Sequence, residues 1–143
     1  MTEEITTVKR VLEEFLGRIK GTTCYRDKIT IYAPTCDGKC VDVVNELEKD
    51  INRIFGGSTS WEGKGCWFNP EIQDVECEPV RVIEAAHNCI TEKQARQLAQ
   101  ALMDYARDAR QYALAVSENG AFYIAETKKM MKRLLEMLLE KEI

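Results

Sequence analysis

Hydrophobic positions along this chain switch between two periods. Over residues 2–20, Ile5, Val8, Leu12, Phe15, Leu16 and Ile19 recur every three or four positions, one stripe of an amphipathic helix that Gly21 would stop. Residues 28–33 alternate and are β-branched instead, which predicts a strand closed by Pro34. A Thr35–Lys39 loop follows. Val41, Val44, Leu47, Ile51 and Phe55 then return to helical spacing, ended by Gly56-Gly57.

Residues 58–68 are rich in Ser, Thr, Trp and Gly and predict a strand that bends at its glycines. Asn69-Pro70-Glu71 opens a turn, and residues 75–86 form the next strand around Val80, Val82 and Ile83. A turn centred near Glu71 and Ile72 puts Cys66 opposite Cys77, where a cross-strand disulfide is expected. Thr91-Glu92-Lys93-Gln94 is a capping box, and Leu98, Leu102 and Ala106 carry its helix on to about Arg110. Tyr112–Val116 reads as a strand, Asn119-Gly120 as a hairpin turn, and Ala121–Ala125 as its return strand. Met130, Met131, Leu134, Leu135, Leu138 and Leu139 predict a closing helix over 126–143.

Without the two terminal helices and the last short strand, the order is β-α-β-β-α-β, the ferredoxin-like arrangement. The expectation is a single α+β domain over 1–143: an antiparallel sheet with both core helices on one face, extra helices at 1–21 and 126–143, and a C-terminal Asn-Gly hairpin. On the 75–86 strand, Val80 and Val82 point one way, and Arg81, Ile83 and Ala85 the other. One set meets the helices. The second needs cover from a terminal helix or a second subunit, and a homodimer is expected.

Composition narrows the function classes. The 143 residues, 45% hydrophobic and 31% charged, suit one globular domain. A net charge of −4 argues against bulk binding to nucleic acid or an anionic membrane. There is no apolar run of transmembrane length, and Met1-Thr2-Glu3-Glu4 opens an amphipathic pattern rather than a signal peptide, so a cytoplasmic location is expected. Six cysteines at 24, 36, 40, 66, 77 and 89 are many for such a chain. They admit reduced thiols, intracellular disulfides of a thermophile, or, against the spacing, a metal site. The abundance of Glu, Lys and Arg suits a thermophile.

Five sets of residues could carry chemistry. The first is Phe55-Gly56-Gly57-Ser58-Thr59-Ser60-Trp61-Glu62-Gly63-Lys64-Gly65-Cys66-Trp67, whose four glycines would let a backbone approach a ligand while Thr59 and Trp61 line a pocket. The bland alternative is a bulged edge strand with core tryptophans. The pattern is no P-loop, since it lacks the G-K-[S/T] ending. Its spacing, F-G-G-x-T-x-x-x-G-x-G-x-W, followed by Glu-Pro-Val-Arg-Val-Ile-Glu at 78–84, resembles a group of small ferredoxin-like proteins. The resemblance covers about 30 mid-chain residues and implies the fold and no particular activity.

The second set is acidic. Residues 71–84 hold five carboxylates against Arg81 alone, a net −4 equal to that of the whole chain. Glu76, Glu78 and Glu84 share a face by alternation and could hold a cation or exchange protons, or they guard an edge. Third, His87 and Cys89 form H-x-C, a weak metal or thiol-activating pair beside the ordinary reading of a polar strand end. Fourth, Cys36 and Cys40 precede a helix N-terminus, where amides lower a thiol pKa and would suit a redox role; the ordinary reading is a structural bridge or inert thiols, although i,i+4 sulfurs in a helical turn are not ideally placed for a disulfide. Fifth, Lys93, Arg96, Arg107 and Arg110 could meet phosphates with Arg26 and Lys28, or form an ordinary salt-bridged surface with Asp104 and Asp108.

The leading expectation is a binding and assembly protein that self-associates, from a thermophilic microbe or its virus or plasmid, with no cofactor. One alternative is a small enzyme or ligand-binding domain whose pocket unites Thr59, Trp61, Glu84 and His87. The other is a nucleic-acid-binding protein.

Overall fold

The computed structural model describes Arg10 and residues 25–129. The helices expected at 2–20 and over most of 126–143, and Cys24, lie outside these residues. The described elements are β1 (Asp27–Pro34), a 3₁₀ turn (Cys36–Gly38), α1 (Val41–Phe55), β2 (Thr59–Asn69), β3 (Asp74–His87), α2 (Glu92–Asp108), β4 (Ala113–Glu118) and β5 (Ala121–Glu126). The fold is α+β: one five-stranded sheet, every neighbouring pair antiparallel, in the order β2-β3-β1-β4-β5.

Local chemistry sets the ends of the elements. Gly56, at φ 88°, ends α1 in the left-handed conformation that only glycine adopts without cost. Thr91 and Gln94 cap α2 reciprocally, the Thr91 hydroxyl accepting from the Gln94 amide and the Gln94 side chain accepting from the Thr91 N–H. Asn119 and Gly120 both have positive φ, as the twist-matched two-residue hairpin requires. β4 starts later than the pattern suggests: Tyr112 stands in solvent before it.

Both α-helices cover one face of the sheet. Ile29, Ile31 and Ala33 of β1, Ile83 and Ala85 of β3, and Leu114 of β4 pack with Val44, Leu47 and Ile51 of α1 and Leu98, Leu102 and Tyr105 of α2. Tyr105 anchors α2 to the end of β1, its hydroxyl donating to the Pro34 carbonyl at 2.6 Å. Burial pushes the Tyr105 phenol far above its ordinary value, with the charge of Glu78 adding to the shift. Arg81 points to the same side and ties α1 to edge strand β2, meeting Glu62 at 2.8 Å and Glu48 at 3.5 Å.

The β2–β3 ladder runs without interruption from Thr59↔Glu84 to Asn69↔Asp74. The pairing carries no bulge at the glycines: Gly63 and Gly65 stay in register, and a side chain at either would meet Val80. β1 reaches only to Pro34↔Val80, so the outer part of the hairpin projects beyond the third strand. Among the described residues two disulfides are present, Cys36–Cys40 and Cys66–Cys77, and Cys89 is free and exposed. No helix among the described residues is long and apolar enough to cross a membrane.

Candidate functional site

Strand alternation sorts the sequence-predicted residues onto two faces. Direct register partners share a side of the sheet. The row Trp61↔Val82↔Tyr32↔Ala115↔Ile124 therefore crosses all five strands on the face away from the helices. The adjacent row, Thr59↔Glu84↔Thr30↔Ser117↔Phe122, is polar until its last member. Tyr32 and Phe122 rings meet across the two rows at 5.8 Å.

Trp61 is 47% and Ile124 70% exposed, and Phe122 is exposed too, while Val82 between them is buried. Trp67 is also exposed. Neither tryptophan belongs to the core, which corrects that part of the edge-strand reading: both stand on the side of β2 away from α1 and α2.

Three of the four residues expected to share a pocket do lie on this face: Thr59, Trp61 and Glu84. Thr59 and Glu84 line a cleft of about 260 Å³ together with Tyr25, Phe55, Gly57 and Ser58. The Glu84 carboxylate there meets Lys28 Nζ at 3.0 Å.

His87 does not join them. It lies on the helix-facing side, 5% exposed, its ring 5.6 Å from that of Phe55. Its Nδ1 is 3.2 Å from the Asn88 carbonyl, and its Nε2, 3.6 Å from Glu118, makes no hydrogen bond among the described residues. Cys89, two residues on, is exposed, so a buried imidazole and an exposed thiol face different surroundings. No group of three His, Cys, Asp or Glu side chains that could hold a metal occurs among the described residues.

Cys36 and Cys40 do form a disulfide, across a Cα separation of 5.3 Å. The expectation of a poor i,i+4 pair assumed a helical turn. Cys36, Asp37 and Gly38 instead all take positive φ, and this reverses the chain between β1 and α1. The Cys36 sulfur is 3.9 Å from Gln111 Nε2, which links this loop to the segment before β4.

The acidic cluster divides. Glu84 belongs to the cleft, whereas Glu76 and Glu78 stand on the projecting hairpin opposite Trp67 and Gly65. Desolvation, with Asp37 nearby, raises the Glu78 pKa above the ordinary carboxylate value. The basic set does not assemble into one surface. Arg96 pairs with Glu92, Arg107 with Asp104 and Asp108, and Lys28 lies on the opposite side of the sheet from α2.

The row as a unit is not evident from the sequence. Its signal was available in the alternation of Trp61, Val82, Tyr32 and Ile124, but only with the inter-strand register in hand.

No family model and no curated protein matches the chain. Similar solved structures include a phage SAM lyase in complex with S-methyl-5'-thioadenosine, at 13% identity and TM-score 0.46, covering 70% of this chain and 87% of that one. The phage SAM lyase in its apo state is similar at 15% identity and TM-score 0.47, over 70% and 86% of the two chains. A Bacillus cereus protein related to NIF3 is similar at 18% identity and TM-score 0.47, over 83% of this chain and 33% of that one. At these scores none of them bears on what this chain does.

Proposed function

We propose that this chain is a self-associating binding and assembly domain on a ferredoxin-like β-α-β-β-α-β core, and that the sheet face away from the helices is its interface. The strand order β2-β3-β1-β4, antiparallel throughout, supports that core, with β5 added at its edge. One observation carries the interface: the row from Trp61 to Ile124 leaves large apolar side chains in water on the face that α1 and α2 do not cover. Large apolar side chains left in water at both edges of one sheet face suit an association site. A second copy is the partner that needs no further gene product, and a two-fold axis would set the row against itself.

The disulfides support a compartment in which such bonds persist. In this reading it is the cytoplasm of a thermophile, the host of the protein or of the element encoding it. The test is sedimentation of the full chain. The wild type is expected to be a dimer at micromolar concentration, and Ile124→Asp a folded monomer. A wild type that stays monomeric at all concentrations overturns the proposal.

A second reading rests on the Thr59–Glu84 cleft. Its carboxylate, hydroxyls and the Tyr25 ring are chemistry for a small polar ligand. The separation of His87 from this cleft removes the proton-transfer partner that an enzyme reading invoked, leaving binding rather than catalysis. Chemical-shift changes confined to Tyr25, Thr59 and Glu84 on titration with a ligand library would support it, and their absence would count against it.

A further inference from the structure

The β2–β3 hairpin outgrows the sheet. Beyond Gly63↔Val80 it continues for six more pairs, from Lys64↔Pro79 to Asn69↔Asp74; Thr35 still bonds the Pro79 carbonyl at its base, at 3.2 Å from its N–H, and among the described residues no third strand pairs with the rest. That is an arm about 20 Å long. A two-stranded ribbon is marginal in water on its own, and here Cys66–Cys77 staples it midway.

The arm is apolar and acidic at once. Phe68 and Val75 form one cross-strand pair, 58% and 56% exposed, and Ile72 protrudes from the turn. Trp67 stands on the opposite side, directly across from Glu76, with Asp74 two residues before Glu76 on the same side. An exposed indole beside carboxylates is suited to a cationic side chain, which gains a ring face and a counter-charge together. Partners for this arm should therefore be basic and apolar.

The chain supplies such a segment. Residues 128–135 are Lys-Lys-Met-Met-Lys-Arg-Leu-Leu: four positive charges, no acid and four large apolar side chains. The register places its origin. Glu126 pairs with Ala113, and extending the β1–β4 register brings Ala113 level with Pro34, where the arm begins. β5 thus delivers the C-terminal segment to the end of the sheet from which the arm rises. But β5 is one edge of the sheet and β2 the other, four strand spacings or about 19 Å apart. Phe68, Ile72 and Val75 of the arm are more than half exposed, and Trp67 nearly so.

We infer that the arm of each copy receives the basic C-terminal segment, residues 128–135, of a second copy. This rests on the self-association reading above and names a reciprocal exchange: the arm of the first copy holds the segment of the second, and the reverse.

A charge-swap pair of full-length chains tests it, read by sedimentation, with circular dichroism to confirm folding. One variant carries Asp74→Lys with Glu76→Lys, the other Lys132→Glu with Arg133→Glu. Each alone sets like charge against like, and its dimer should weaken at least tenfold. Mixed in equal amounts, the arm of each variant meets a segment of opposite charge on the other, and the dimer should return. Dimers that persist in both separate variants overturn the inference while leaving the sheet-face dimer standing. A mixture that stays monomeric overturns it in favour of a segment seated on its own arm. A wild type that never dimerises overturns both this inference and the reading beneath it.

Discussion

Cys66 stands directly opposite Cys77 in the β2–β3 ladder, on the part of the hairpin that no third strand supports, and the two are joined. The bond spans a sequence separation of 11. Closing a loop of that size removes about 3 kcal/mol of freedom from the unfolded chain in the chain-entropy account. The Cys66→Ser/Cys77→Ser variant should lose about that much in denaturant unfolding. Its amide-exchange protection should fall in residues 64–79 before it falls in β1. The Cys36–Cys40 bond closes a shorter loop, so its removal should cost less, about 2 kcal/mol.

Arg81 offers a sharper energetic test. Its guanidinium is largely buried between Glu48 on α1 and Glu62 on β2, and the hydrogen bond to Glu62 is the main reason its pKa is raised. Glu48 Oε1 is buried and makes no hydrogen bond among the described residues, so Arg81 is its near counter-charge. Arg81→Ala leaves that carboxylate buried and uncompensated, and about 3 kcal/mol of stability should go with it. Arg81→Lys keeps the charge but cannot fork between two elements, and should recover only part of the loss. Urea unfolding of the three chains decides; equal midpoints would show that the clamp contributes nothing.

How much of this was readable beforehand follows from where the information lies. The Thr91–Gln94 box and the Asn119-Gly120 turn were legible because each depends on residues a few positions apart, and the Cys66–Cys77 pairing because the turn between β2 and β3 sets the register of a hairpin. The side of β2 taken by Trp61 and Trp67 was not. Alternation says which residues share a face, and only packing with α1 and α2 says which face is covered. The Cys36–Cys40 bridge was among the expected outcomes, but its geometry was not legible: two non-glycine residues at positive φ make a turn that helical spacing does not describe. The arm lay between these cases. A β1 closed at Pro34 is shorter than the strands of the hairpin after it, and the mismatch must project somewhere.

His87 is the position where a reactive reading and a packing reading predict different outcomes. Its Nε2 is buried without a hydrogen bond among the described residues, although the Nδ1 contact with the Asn88 carbonyl would be lost on replacement. Replacing it by an apolar group of similar size removes an unsatisfied buried nitrogen, which offsets the loss of the Asn88 contact and of the 3.6 Å approach to Glu118. His87→Leu should therefore fall within about 1 kcal/mol of the wild type and leave self-association unchanged. A zinc affinity that disappears in both His87→Leu and Cys89→Ser would show instead that the strand end rearranges to bring these two side chains together.

Alkaline pH should expose the Tyr105–Pro34 contact. The phenol is held neutral in the fold, its pKa raised from 10.0, first by desolvation and then by the Glu78 charge. A raised folded-state pKa means that the unfolded chain releases its proton first as pH rises. The contribution of this group is therefore complete below pH 10 and declines above it, as the unfolded tyrosine ionises and the folded one does not. Stability measured from pH 9 to 11.5 should fall with a component that Tyr105→Phe abolishes. The same variant should be less stable at neutral pH by about 1–3 kcal/mol, because the Pro34 carbonyl loses a buried donor. An alkaline slope identical in the two chains would show that Tyr105 ionises as readily folded as unfolded.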